Sequence, residues 1–301
     1  MAILASGASR VLVQGMTGWA GRHYSSSMLD YGTRVVAGVT PSKAGTRFLD
    51  LPIHGDVASA MREHRIDVSI VFVPPQNAGA AMIEAIEAEV PVIVAVTERV
   101  PLHDMVKVRA ALAGSRSILV GPNSQGILSP GQCKIGVMAT ASARPGRVGV
   151  ISRSASLTSE VIAQITEAGL GQSTTVGIGG DPICGLSMRD CLSLFLKDEE
   201  TDGVVLIGEI GGSQEEELAE FVAAARPSIP IVATVVGRHA PPRRRMGHAG
   251  AFAEGTNDAA GKIRALERAG IAIAPSPHLI GETIRAALRQ AADATRERSV
   301  A

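Results

Sequence analysis

Short β-branched runs recur along the chain, separated by alanine-rich stretches of mixed polarity. In the first half, Arg10–Gln14, Arg34–Val39, Val68–Val73, Val90–Val96 and Ile118–Val120 read as strands. Apolar runs of this kind, interrupted by helices, are what a parallel sheet covered on both faces requires. Across Ala78–Ala88 the apolar positions recur near the helical period, which predicts one of the covering helices. The rhythm restarts in the second half, with strands expected at Arg147–Ser152, Ser173–Ile178, Gly203–Ile207, Ile231–Val236 and Ile271–Ala274. Between the halves, the stretch from Gly121 to Pro145 is rich in glycine, proline and small residues and reads as a linker. The pattern predicts an α/β protein of two doubly wound domains in tandem, residues 1–143 and 144–301.

Composition fits this picture. A chain of 301 residues can bury two separate cores. Hydrophobic residues make up 46% and charged residues 19%, with a formal net charge of zero. That balance marks a globular protein with no long-range pull towards nucleic acid or an anionic membrane. No window approaches roughly eighteen uncharged apolar residues, and the N-terminus lacks a basic stretch followed by an apolar run. Neither a membrane span nor a secretory signal is therefore expected, and a cytoplasmic setting is. Cys133, Cys184 and Cys191 form neither an even disulfide set nor a C-x-x-C pair, which suits a reducing compartment.

Chemistry enters at the first strand's end. Gly15-Met16-Thr17-Gly18-Trp19-Ala20-Gly21 is a G-x-x-G-x-x-G run leading into a predicted helix. Glycines allow close backbone approach, and a helix start offers free N–H groups to a phosphate. A nicotinamide-cofactor fold usually carries Asp or Glu at the end of the second strand. Here that strand ends in Val39-Thr40-Pro41-Ser42-Lys43, without a carboxylate. Lys43 instead favours a ligand with an additional ribose phosphate, as in CoA, although a solvated surface lysine reads the same way. Val96-Thr97-Glu98 follows another strand and is a candidate wall of the same crevice.

The second half carries a different constellation. Ala240-Pro241-Pro242-Arg243-Arg244-Arg245-Met246-Gly247-His248-Ala249-Gly250 follows a strand and places one histidine near three arginines, ahead of Gly255. A histidine nitrogen is a competent covalent carrier of a phosphoryl group, whose transfer depends on positioning and charge neutralisation. Two turns, Ser152-Arg153-Ser154-Ala155-Ser156 and Gly177-Ile178-Gly179-Gly180-Asp181-Pro182, are expected to supply helix N-terminal amides to that phosphate. Ser154, Ala155, Ser156, Gly179 and Gly180 are the residues expected to cradle it. Glu209, ahead of Gly211-Gly212, is placed to accept a histidine N–H and fix its tautomer.

Taken together these motifs resemble the alpha subunit of succinyl-CoA synthetase over about Arg10 to Glu282. The resemblance rests on Gly15–Gly21, Val39-Thr40-Pro41, Phe72-Val73-Pro74-Pro75, Thr97-Glu98, His103-Asp104-Met105, Gly121-Pro122-Asn123, Val176–Pro182, Gly208–Gly212 and Arg245–Gly250. It implies a Rossmann-like CoA-binding domain followed by a flavodoxin-like ligase domain, acting in the tricarboxylic acid cycle. It implies a CoA site at Thr17, Gly18, Trp19, Ala20, Lys43, Val96, Thr97 and Glu98. It also implies a phosphohistidine at His248, oriented by Glu209. ATP or GTP with magnesium is then expected on an ATP-grasp beta subunit, and a small carboxylic acid becomes an acyl-CoA thioester. The family usually has Gly-Pro-Asn-Cys-Pro-Gly where this chain has Gly121-Pro122-Asn123-Ser124-Gln125-Gly126, and a tyrosine where it has Ser159. Asn123, Ser124, Gln125 and Ser159 are accordingly candidate acid-site residues, and the changes point to an acid other than succinate. Two other readings stand beside this one, a nicotinamide-dependent oxidoreductase and a CoA-binding regulatory subunit without turnover.

Overall fold

The computed structural model describes residues 2–241, 243–252 and 257–300; Pro242 and Gly255 of the arginine–histidine segment lie outside the described residues. Chain contacts divide the protein into two compact units. One comprises Leu4–Met138 and Gly177–Leu186, the other Met1–Ile3, Ala139–Val176 and Ser187–Ala301.

The first unit opens with β1 (Arg10–Gln14), α1 (Trp19–Asp30) and β2 (Arg34–Val39). Then come β3 (Arg47–Phe48), β4 (Leu51–His54), α2 (Val57–Glu63) and β5 (Val68–Val71). It continues through α3 (Pro75–Glu87), β6 (Val92–Ala95), α4 (Leu102–Ala113) and β7 (Ile118–Val120). Sheet order is β3-β4-β2-β1-β5-β6-β7, parallel where β1, β2, β4, β5, β6 and β7 pair, with β3 antiparallel to β4 at the edge. Every residue of β5 and β6 is buried, which is why both read as unbroken apolar runs. Leu12, Val71, Met82, Ile86, Ile93 and Leu119 form the heart of its core.

Two features depart from the expected pattern. The supposed linker contains a hairpin, β8 (Gly126–Ser129) against β9 (Cys133–Gly136), buried throughout and in register at Ile127 and Ile135. Its glycines are packing residues: a Cβ on Gly126 would lie 1.9 Å from Ile135 O. The second departure is the segment 177–186, which packs with the first unit although it lies within the second half of the chain. A Cβ on Gly185 would meet Leu119 O at 2.2 Å, and one on Gly179 would meet Pro122 O at 2.1 Å.

The second unit contains β10 (Pro145–Ser152), α5 (Ala155–Glu167), β11 (Gln172–Gly177), α6 (Met188–Phe195) and β12 (Gly203–Glu209). These lead to α7 (Gln214–Ala225), β13 (Ile231–Val236), α8 (Ala259–Arg268), β14 (Ala272–Ile273) and α9 (Ile280–Val300). Its strands run in the order β14-β13-β12-β10-β11, with β10, β12, β13 and β14 parallel. Val150, Val161, Val205, Ile207, Val232 and Ile284 anchor its core. Both sheets reverse strand order beside a central strand, at β1 and at β10. Open α/β sheets bind ligands at the carboxyl ends of strands at such switch points. Among the described residues no helix is long and apolar enough to cross a membrane.

Candidate functional site

The switch point of the first unit is a cavity of about 670 Å³. Val39, Phe72, Val73 and Pro74 supply apolar wall, while Gln14, Thr17, Thr40, Asn77 and Glu84 supply polar groups. Its volume and mixed lining suit a drug-sized or cofactor-sized organic ligand. The glycine run is dictated by close approach. Gly15 has φ +80°, and a Cβ on Gly21 would lie 2.1 Å from Gly15 O, so the turn closes only with glycine at these places. Gly18 is the N-cap of α1 and brings no side chain to cap it, which leaves the helix's first amides to a ligand. Thr17 and Gly18 both line the cavity.

The other expected CoA contacts surround this core unevenly. Trp19 is 83% exposed at the start of α1, followed by half-buried Ala20. Lys43 ends a single 3₁₀ turn, Pro41–Lys43, and is exposed outside the cavity wall. Thr97 donates to Val73 O at 2.7 Å and so braces the wall from behind, while Val96 is half-buried and Glu98 exposed. Three wall groups escaped the sequence reading. Glu84 Oε2 accepts from Gln14 Nε2 at 3.3 Å, Glu84 Oε1 accepts from the Val57 N–H at 2.7 Å, and Asn77 faces the same space. As a polar residue on an alanine-rich helix, Glu84 looks like a solvated one; only the fold shows where it points.

The second unit's switch point is built from charge. Glu209, at the end of β12, accepts from His248 Nδ1 at 2.7 Å. Arg153, just beyond β10, lies 3.0 Å from the other oxygen of Glu209, an ion pair without hydrogen-bond alignment. Arg153 also donates to Glu215 Oε1 at 3.1 Å and to Gly211 O at 3.3 Å. Glu215 in turn accepts from Lys262 at 2.7 Å and from the Glu209 N–H at 3.0 Å. Lys262 completes its set with Glu216 and with Gly212 O. Side-chain exposure is 3% for Arg153, 5% for Glu209, 1% for Glu215 and 0% for Lys262, against 27% for His248.

Charges this deep persist only when paired. Burial alone would push the Glu215 carboxyl up, but Arg153 and Lys262 outweigh it and hold the group below the usual carboxylate range. Two cations therefore face three carboxylates, and a positive charge on the His248 ring would bring the cluster to neutrality. Local backbone makes room for all of it. A Cβ on Gly208 would lie 2.8 Å from Glu215 Cγ, and one on Gly211 would lie 2.2 Å from Gly250 O. The histidine loop itself is tied by Met246 N–H to Ala251 O and Ala251 N–H to His248 O. With Nδ1 engaged by a carboxylate, a neutral ring that donates there keeps its lone pair on Nε2.

The guanidinium buried beside Glu209 is that of Arg153, while Arg243, Arg244 and Arg245 are exposed. One expectation about this cluster needs correction. The turn at Gly177–Pro182 begins no helix; the chain stays irregular until Ser187 caps α6, and a Cβ on Gly179 would lie 2.1 Å from Pro122 O. Gly179 and Gly180 thus belong to the first unit, whereas Ser154, Ala155 and Ser156 belong to the second. Ser154 does cap α5, accepting from the Leu157 N–H, with Ala155 and Ser156 exposed in the first turn. Of the expected acid-site residues, Asn123 donates to Asp181 at 3.0 Å, and Ser124 donates to Gly177 O and accepts from the Gly126 N–H. Gln125 is buried against Gly177, and Ser159 stands exposed on α5 in the other unit.

The fold and these two switch points define a CoA-binding domain joined to a CoA-ligase domain. Family models described as "CoA binding domain" and "CoA-ligase" match residues 7–99 and 151–273. The chain is 45% identical over 285 residues to the succinate–CoA ligase [ADP-forming] subunit alpha 2 of Archaeoglobus fulgidus, covering 94% of this chain and 99% of that one. It is 44% identical over 284 residues to the corresponding alpha subunit of Staphylococcus aureus, covering 94% of each. Among solved structures, ATP citrate lyase from Methanothrix soehngenii, in complex with citrate and coenzyme A, superposes with a TM-score of 0.86 at 25% identity. That match takes in 99% of this chain and 52% of the lyase chain, so the protein spans about half the length of the lyase. The chain belongs to the succinate–CoA ligase alpha-subunit family.

Proposed function

We infer that this protein is the alpha subunit of an NDP-forming acid–CoA ligase, with His248 carrying the phosphoryl group between nucleotide and acid. The observation that carries this reading is the His248 Nδ1–Glu209 contact of 2.7 Å, made at a switch point and backed by the buried guanidinium of Arg153. Such a contact fixes the tautomer and stabilises the ring once it is charged.

The sequence of steps balances with His248 Nε2 as carrier. Nε2 attacks the terminal phosphorus of ATP or GTP; the N–P bond forms, the bridging P–O bond breaks, and the nucleoside diphosphate, ADP or GDP, leaves. Glu209 holds the Nδ1 proton throughout, so the phosphorylated ring is a cation opposite a carboxylate. A carboxylate oxygen of the acid then attacks phosphorus, the N–P bond breaks, and an acyl phosphate forms. The CoA thiolate adds to the acyl carbon and phosphate departs, leaving the thioester. The α5 start at Ser154, Ala155 and Ser156 suits the phosphoryl oxygens in transit. The cavity lined by Thr17 and Gly18 takes CoA, with Trp19, Ala20, Lys43 and Val96–Glu98 at its margins. Nucleotide and its magnesium are held mainly by a beta subunit of the ATP-grasp type, and the name "subunit alpha" of the relatives supports a partner. The acid is a small carboxylic acid; the curated relatives are named for succinate. A cytoplasmic setting goes with this chemistry.

The test uses the full chain with its co-expressed partner and terminally labelled nucleotide. Acid-labile, alkali-stable label should appear on the peptide spanning Arg245–Gly250 and vanish in His248→Ala. Label on His239 or His103 instead, or undiminished thioester synthesis by His248→Ala, overturns the reading.

A further inference from the structure

Away from both switch points, three residues of the first unit are arranged in a way that CoA binding does not explain. His54 ends β4 and is only 8% exposed, yet its Nε2 is buried without a hydrogen-bond partner. His64 caps the far end of α2, and its Nε2 is likewise buried and unpartnered. The two rings meet edge to face, with centroids 5.5 Å apart and planes at 77°. Glu63, the last residue of α2, sets its Oε1 3.9 Å from His54 Nδ1. One ligand atom from each of the three lies within 4.8 Å of the others, the one such group among the described residues.

Buried polar atoms are almost always paired, and two orphans on touching imidazoles call for an acceptor of lone pairs. A metal ion is such an acceptor. Two imidazole nitrogens and one carboxylate oxygen form the donor set that suits zinc, whereas magnesium and calcium take oxygen ligands. Around a tetrahedral zinc with bonds of about 2.0–2.1 Å the donors stand about 3.3 Å apart, so the cluster must contract modestly. Glu63 is 67% exposed and free to swing inward, which supplies that contraction from its surface side.

We propose that His54, Glu63 and His64 form a zinc-class divalent cation site, with the fourth position open to water, that braces the CoA-binding unit. Its place in the sheet gives it a purpose. His54 stands in parallel register with Val39, and its carbonyl accepts from the Thr40 N–H at 3.0 Å. Val39 and Thr40 line the cavity. The opposite end of α2 is already held by Glu84, another cavity residue, through the Val57 N–H. An ion at the His64 end would fix α2 at both ends and stiffen the strand that carries Thr40 and the Pro41–Lys43 turn.

The experiment is calorimetric titration of the tag-free full-length chain with zinc chloride, paired with thermal unfolding. One equivalent should bind, with unfolding shifted upward, while magnesium at the same concentration does nothing. Glu63→Gln, a surface change that leaves the fold intact, and His64→Asn should each weaken zinc binding by about tenfold or more. His54→Phe should remove it, the ring preserving the packing. The proposal is overturned if the wild-type chain takes up no zinc at about 100 μM, where a site in its class would be saturated and stabilising. It is equally overturned if Glu63→Gln and His64→Asn bind as tightly as wild type, since the ion would then sit on other histidines.

Discussion

The two switch points share a topology and differ in almost everything else. At the carboxyl end of β1 the chain encloses an apolar-walled cavity of about 670 Å³, with uncapped helix amides at one edge. At the carboxyl end of β10 the space is filled with Arg153, Glu209, Glu215 and Lys262, while His248 and Glu216 reach partly towards solvent. A crevice that must receive a large ligand whole has to stay open. One that passes a single group between ligands is better packed with charge, because the work there is electrostatic. Fold alone therefore says little about chemistry; the residues at the strand ends decide it.

Four measurements would break or sharpen this contrast. The largest effect should come from His248→Ala, which removes the proposed carrier nitrogen and should lower net ligation by about 10³-fold or more. CoA binding by calorimetry should be unchanged, since cavity and histidine belong to different units; a parallel loss of both would erase the distinction. Glu209→Gln keeps the imidazole and should lose activity only in part.

Next is Glu215→Gln, which leaves Arg153 and Lys262 facing a neutral group. Breaking a buried ion pair of this kind costs about 3–5 kcal/mol, read as a lower midpoint in denaturant. The effect carries a pH signature. Because the folded pKa of Glu215 is depressed, its contribution is complete above the ordinary glutamate value of about 4.3 and is lost as pH falls through the folded value. The gap between wild type and variant should thus be widest near neutrality and close in acid. A gap independent of pH would contradict the ionised network.

A smaller effect tests the cavity's margin. Lys43→Ala should weaken CoA by about tenfold and dephospho-CoA hardly at all, because only the former carries the ribose phosphate an ammonium would meet. Equal weakening would remove Lys43 from the site. Smallest is thiol reactivity. Burial pushes the Cys133 thiol up to about 11 and that of Cys191 higher still. Maleimide at neutral pH should therefore label the folded chain at half-buried Cys184 alone. Two or three labels without unfolding would show that these cores open.

Much of the fold was legible because parallel strands buried on both faces announce themselves locally: β1, β2, β5, β6 and β13 fall within the apolar runs, and β10 and β12 outrun theirs by two residues each. The hairpin β8–β9 was not, since its glycines look like flexible linker until the facing strand is seen to leave no room for a Cβ, which on Gly126 would lie 1.9 Å from Ile135 O. Nor were the edge strand β3 and its neighbour β4, which are short, β4 carrying a proline at Pro52. His248 and Glu209 stood out as candidates by their flanking glycines and strand ends, and the structure brings them together. Arg153, Glu215 and Lys262 did not. The Glu215-Glu216-Glu217 run reads as the solvated, dipole-favoured start of a helix, and nothing nearby in sequence tells that two of its members turn inward to Lys262.

One bond in that network reaches further than charge. The main-chain N–H of Glu209 donates to the Glu215 carboxylate, so the backbone bearing the histidine's partner is itself held by a buried carboxylate. If His248 carries the phosphoryl group as proposed, the charge that appears on the imidazole meets groups in this corner already held in place by the fold. Activation of the transfer step should then carry little entropy of reorganisation from this side, leaving the approach of the two substrates to set its temperature dependence.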